Sequence, residues 1–166
     1  IGLALSLGAQ TLIKDILGGL FILIENQYAV GDVIEIGEVS GQVERITLRT
    51  TSVRDLDGSL HMVPNGEVRV VSNRTREWSR ALVDFGVAYE EDLDRVMAVL
   101  AAFAEELAAD EEFGPLLIGT PEIVGPVSLD NNSVVVRVMA TTKPGAQWTI
   151  GRVIKKRVLQ ICDREG

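Results

Sequence analysis

The sequence predicts three parts in series: a membrane-type α helix, a small all-β barrel domain and an α+β domain of ferredoxin-like order. Three observations predict this. Apolar residues run without a charge over the first thirteen positions. Residues 28–78 alternate apolar and polar side chains between glycine turns. From residue 79 onward, strand-type and helix-type periods follow each other. The composition is that of a folded protein, 46% hydrophobic and 24% charged over 166 residues. The mean hydropathy of +0.21 owes its excess to the front, where Lys14 and Asp15 are the only charges in the first 24 residues. The chain opens on Ile1 and is read as a piece of a longer protein.

The first part, residues 1–27, begins IGLALSLGAQTLIKDILGGLFILI. A spanning helix needs about 20 mostly apolar residues, and Lys14–Asp15 interrupt this run. A secretory signal would need a basic start and a small-residue cleavage site, and neither is present. A buried core helix also fits the residues. Leu3, Leu7, Gln10 or Thr11, and Lys14 form one helical stripe. Beside it stand Gly2, Ala4, Ser6, Gly8 and Ala9, small enough for close helix packing in a membrane. A ring of such helices would point Leu3 and Leu7 inward as an apolar constriction that closes by dewetting. In the second half, Gln10, Lys14, Asp15 and Gly18 make a narrow polar seam in a wide apolar surface. That suits a helix at a membrane interface, with a kink expected near Gln10–Thr11.

The second part, residues 28–78, carries strand runs in VGDVIEIG, SGQVERITLRTTSVRD and SLHMVPN. Asp57-Gly58 is a hairpin signal and Pro64-Asn65-Gly66 marks another turn. Short strands at this spacing predict a small bent sheet or barrel. Its six arginines are interleaved with eight acids, the pattern of a solvated, ion-paired surface. The third part, residues 79–166, reads strand (LVDFGVAY), helix (DLDRVMAVLAAFAEELAAD), strand (EIVGPVSLD), strand (SVVVRVMAT) and helix (QWTIGRVIKKRVLQICDRE). This βαββα order is a split βαβ sandwich lacking its last strand.

Several function classes lose support at this level. The net charge of −8, concentrated in residues 79–166, opposes nucleic acid as the main partner. Cys162 stands alone, with no disulfide partner and no zinc spacing around it. His61 is the only histidine and has no nucleophile elbow to serve. Neither a phosphate-binding glycine loop nor a dinucleotide fingerprint occurs. Catalytic residues, metal and cofactor are therefore all expected to be none.

The run from GLALSLGAQTLIKDILGGLFILIENQYAVGD through VERITLRTTSVRDLDGSLHMVPNGEV, together with GVAYEEDLDRV, resembles the small-conductance mechanosensitive channel family. Its most specific parts are the Tyr28–Asp32 junction, the turn at Gly41–Ile46, the stretch Arg49–Arg54 and the Pro64-Asn65-Gly66 turn. The resemblance implies a homoheptamer in the inner (plasma) membrane, with residues 28–166 cytoplasmic. The middle domain would be Sm-like and the last would wall a vestibule. Membrane lipid would be a partner, and ions and small osmolytes would be released under tension. It implies Leu3 and Leu7 as the pore constriction, Gln10 as the polar position below it, and Gly19 as a small-residue position in the interfacial half. Thr11 stands where a familiar member has a hinge glycine. The competing class is a soluble Sm-like and ferredoxin-like oligomeric binding module, with residues 1–27 as a core or assembly helix.

Overall fold

A computed structural model describes the backbone of residues 2–165 and the side chains of residues 9–164. It divides into two compact units, residues 1–76 and 77–166.

The first unit opens with α1 (Gly2–Ile24), and its helix assignment runs unbroken through Gln10 and Thr11. Strands β1 (Val33–Ile36), β2 (Val39–Ile46), β3 (Thr50–Arg54), β4 (Leu60–Pro64) and β5 (Ser72–Asn73) follow. They form one antiparallel sheet in the order β4-β3-β2-β1-β5. The run that read as one strand from Ser40 to Asp55 is two strands. Thr47 breaks it: its hydroxyl bonds the Thr50 carbonyl at 3.0 Å and receives the Thr50 N–H at 3.0 Å, a side-chain turn that replaces ladder bonds. The two-residue β5 is too short to give a period-two signal. At the β3–β4 turn Gly58 takes φ +91, the left-handed conformation that suits glycine. Ile34, Ile36, Val43 and Val53 fill the core with Ile22 and Tyr28.

The second unit is β6 (Ser79–Ala88), α2 (Leu93–Ala108), β7 (Glu122–Leu129), β8 (Ser133–Thr142) and α3 (Gln147–Glu165). Its sheet order is β6-β8-β7, antiparallel throughout. This is the split βαβ arrangement with its fourth strand missing. Strict alternation along β6 buries Ala81 and Val83 against the helices and leaves Leu82 and Asp84 outside. Leu100, Phe103 and Leu107 of α2 meet Ile150, Ile154 and Val158 of α3 over Val136 and Val138 of β8. The Asp92 carboxylate caps α2 through the N–H groups of Asp94 and Arg95. On the outer face Arg137 grips Asp84 with both arms of its fork, at 2.7 and 2.8 Å. This pair holds the Asp84 carboxyl below its usual range.

Candidate functional site: the seam between helix and turn

The described half of α1 reverses the usual pattern of a water-soluble helix. Its buried positions are Asp15, Gly19 and Ile22, with Gly18 half-buried beside them. These fall at i, i+3, i+4 and i+7, one face of the helix. The bulky residues point the other way: Ile13, Leu17, Phe21, Leu23 and Ile24 are between 48% and 71% exposed. The face toward its own domain thus carries a carboxylate, two glycines and Ile22, while most of the large apolar side chains of the helix form an exposed apolar surface.

The polar seam docks onto the short 3₁₀ turn Asn65–Glu67. Glycine makes this contact sterically workable. A Cβ on Gly19 would lie 2.0 Å from the Leu48 carbonyl oxygen and 2.5 Å from Asn65 Nδ2. One on Gly18 would lie 2.7 Å from the Asn65 carbonyl oxygen. One turn earlier, the Gly66 N–H donates to Asp15 Oδ1 at 3.1 Å. Arg49 Nη1 stands 4.0 Å from the other Asp15 oxygen.

The receiving side is a buried hydrogen-bond network. Asn65 is 1% exposed. Its Oδ1 accepts from Thr51 Oγ1 at 2.8 Å, its Nδ2 donates to the Thr47 carbonyl at 2.8 Å, and its N–H donates to the Arg49 carbonyl at 2.8 Å. Since Thr51 donates to Asn65, its oxygen is left to accept from Tyr28 OH at 2.9 Å. Burial raises the Tyr28 pKa, and the bond to Thr51 works in the opposite direction. Every polar atom of the Asn65 side chain region thus has a partner, so the turn is rigid where the helix meets it.

Of the positions singled out by sequence, Gln10, Thr11 and Lys14 are exposed on α1. Gly19 lies in the seam, against the β unit of its own chain. The side chains of Gly2, Leu3, Ala4, Ser6, Leu7 and Gly8 lie outside the described residues. Asp15 read with Gln10, Lys14 and Gly18 as a polar seam, and the structure buries Asp15 and half-buries Gly18 while Gln10 and Lys14 stay exposed; Tyr28, Thr51 and Asn65 carried no functional assignment from sequence. A buried Asp in an apolar run was the available signal, since an unpaired charge there is costly. Among the described residues no group of three or more metal-ligating side chains occurs, and no helix is long and apolar enough to cross a membrane.

Comparison with known proteins places this geometry. Residues 11–76 match the mechanosensitive ion channel β-domain, and residues 81–166 match the MscS C-terminal domain. The chain is 36% identical over 163 residues to a small-conductance mechanosensitive channel of Caldanaerobacter subterraneus, covering 98% of this chain and 57% of that protein. It is 36% identical over 166 residues to the moderate conductance mechanosensitive channel YbiO of Escherichia coli, covering all of this chain and 22% of that one. The fold matches closed-state Helicobacter pylori MscS with a TM-score of 0.79 at 22% identity, over 98% of this chain and 64% of that one. It matches Arabidopsis thaliana MSL1 with a TM-score of 0.69 at 20% identity, over 96% and 57%. The chain therefore spans little more than half of the first relative and under a quarter of the second. Two family models covering most of its residues, with relatives matched along its full length, establish that the chain belongs to the MscS-type mechanosensitive ion channel family.

Proposed function

We propose that this chain is part of a subunit of a mechanosensitive ion channel that opens under membrane tension and releases ions and small osmolytes. The observation that carries the reading is the outward apolar face of α1, clamped to its β domain by the Gly18–Gly19 seam. Seven copies around an axis would let the first half of α1 line a pore, with Leu3 and Leu7 as its constriction and Gln10, Thr11 and Lys14 below. Gly2, Ala4, Ser6 and Gly8 would let neighbouring helices interlock. The second half would lie at the interface of the inner (plasma) membrane, its apolar face covered by lipid or neighbouring copies, with residues 28–166 on the cytoplasmic side. In the closed state an ion at the leucine rings would lose its water with nothing to replace it. Tension would favour the conformer of larger membrane area. The seam gives that change a mechanical route, because a tilt of α1 must move with, or break from, the Asn65 turn.

Patch-clamp recording of the full-length protein under stepped suction tests the proposal. Suction-activated currents are expected, and Leu7→Ser should wet the constriction and leak at rest. Absence of current up to membrane rupture, with the protein verified in the membrane, would refute the channel reading. A silent Leu7→Ser variant with an unchanged threshold would refute the assignment of the constriction.

A further inference from the structure

An asparagine precedes a glycine once in the chain, at Asn65–Gly66. That pair has a chemistry of its own. The glycine amide nitrogen can attack the asparagine Cγ, because glycine has no side chain to screen it and leaves the backbone free to turn. A new N–C bond closes a succinimide ring, the bond to Nδ2 breaks, and ammonia leaves with the proton of the glycine nitrogen. Water then opens the ring at either carbonyl, giving aspartate or isoaspartate. The reaction consumes water alone, and asparagine is accordingly among the thermolabile residues of proteins.

In the docked seam each reacting group is engaged. The attacking Gly66 nitrogen donates its proton to Asp15 Oδ1 at 3.1 Å. The leaving Nδ2 of Asn65 donates to the Thr47 carbonyl at 2.8 Å, and Oδ1 accepts from Thr51 Oγ1 at 2.8 Å. The amide cannot swing towards Gly66 without breaking both bonds. α1 also closes over the pair. A Cβ on Gly19 would lie 2.5 Å from Asn65 Nδ2, and one on Gly66 would lie 3.0 Å from backbone atoms of Lys14 and Asp15. Asn65 is 1% exposed, which keeps away the water that opens the ring. Asn131 and Asn132, by contrast, are exposed in the bend between β7 and β8.

We propose that Asn65 is a deamidation site gated by α1, closed while the helix is docked and open when it leaves. Undocking frees the Gly66 nitrogen and admits water to compete for the two amide bonds, so the turn can reach the geometry of attack. The product cannot restore the seam. A carboxylate at position 65 has no N–H for the Thr47 carbonyl, and it adds a second negative charge to a contact that already buries Asp15. Isoaspartate further lengthens the backbone of the turn. A chain that has spent long undocked therefore carries a covalent record of it. The gate belongs to the first unit alone and stands whether or not the channel reading holds.

The test incubates the full-length protein in detergent micelles at mildly alkaline pH, where attack by the amide nitrogen is faster. Mass spectrometry on peptides covering residues 60–70 then reads conversion of Asn65 to the acid and its isoaspartate fraction. A free peptide of residues 60–70 supplies the uncovered rate, and Asn131 and Asn132 supply an internal clock in the second unit. Native protein should convert Asn65 at least about tenfold more slowly than the free peptide, as a site that reacts only through opening does. Gly19→Ala loosens the dock without altering the reacting pair. It should speed Asn65 about five- to a hundredfold, with the free-peptide rate as its ceiling, and leave Asn131 and Asn132 as they were. If Gly19→Ala speeds those two as well, as an unfolded chain would, Asp15→Ala decides by the same comparison. Native protein that converts as fast as the free peptide would overturn the proposal. An unchanged Asn65 rate in Gly19→Ala would overturn it too, since the turn alone would then be the protection. So would a slower one, since Asp15 would then be serving the reaction as a base.

Discussion

Replacing Gly19 with alanine sets two effects against each other, and the structure says which wins. Alanine is the better helix former by about 1 kcal/mol. If α1 were free on this side, Gly19→Ala would stabilise it. The added methyl, however, would stand 2.0 Å from the Leu48 carbonyl oxygen and 2.5 Å from Asn65 Nδ2. Neither neighbour can yield cheaply, because Leu48 is backbone in a hydrogen-bonded turn and Asn65 is held at both ends of its amide. The helix must retreat by about 1 Å or more, since carbon contacts settle near 3.5–4.0 Å. That retreat stretches the 3.1 Å bond from Gly66 to Asp15. Overpacking costs about 1–3 kcal/mol, and a lost hydrogen bond costs about 1 kcal/mol. After subtracting the propensity gain, the docked state loses about 1–3 kcal/mol, or roughly five- to a hundredfold in its opening equilibrium. Hydrogen exchange on peptides covering residues 47–50 and 63–68 reads this directly, with peptides of residues 77–166 expected to be unchanged. Slower exchange in Gly19→Ala would show that the seam is loose and would refute the argument.

Two further expectations follow from the same contacts. Leu107 is 0% exposed between the helices and sheet of the second unit; Leu107→Ala should cost about 2–5 kcal/mol, seen as a lowered denaturant midpoint for residues 77–166 with residues 1–76 unaffected. Acid should loosen the β3–β4 turn late: Asp55 titrates near 2 in the fold, below its ordinary 3.8. Its contribution is therefore complete above about pH 4 and lost as pH falls towards 2. Exchange of the Asp57 and Ser59 amides should accelerate only in that window, and acceleration beginning at pH 5 would contradict the assignment.

The layout of both units was legible because it rests on periodicity. Strand alternation in residues 79–88 and the 3.6-residue spacing of Leu100, Phe103 and Leu107 require no knowledge of partners. The seam was less legible. Gly18 and Gly19 in an apolar helix signal close approach to something, but sequence does not say whether that is a neighbouring helix or, as found, a turn some 45 residues away. Asn65 read as a turn residue, which it is. Its second role, satisfying three backbone and side-chain groups inside a network, depends on Thr47 of the β2–β3 turn and Thr51 of β3 arriving beside it. Thr47 also explains the missed break between β2 and β3, because a threonine in a β-rich run counts as a strand former until its hydroxyl is seen bonding locally.

Asp15 is the most costly member of the seam to bury, a carboxylate 4% exposed in an apolar helix. Two contacts could justify it, and they are unequal. The Gly66 N–H donates at 3.1 Å and would otherwise be left without its partner against the helix. Arg49 approaches to only 4.0 Å through a side chain 59% exposed, a long and solvated ion pair. Such a pair contributes under about 1 kcal/mol, while desolvating the carboxylate costs at least as much. The hydrogen bond, not the charge, therefore holds the dock. Asp15→Asn keeps an acceptor oxygen and sheds the desolvation cost, so it should leave exchange at residues 63–68 unchanged or slower. Asp15→Ala removes the acceptor, leaves a buried N–H unmet, and should weaken the dock by about 1–3 kcal/mol. If Asp15→Asn were as damaging as Asp15→Ala, and Arg49→Ala matched them both, the ion pair would have to be the stronger contact. The seam would then be an electrostatic clamp, sensitive to salt, in place of a steric and hydrogen-bonded one.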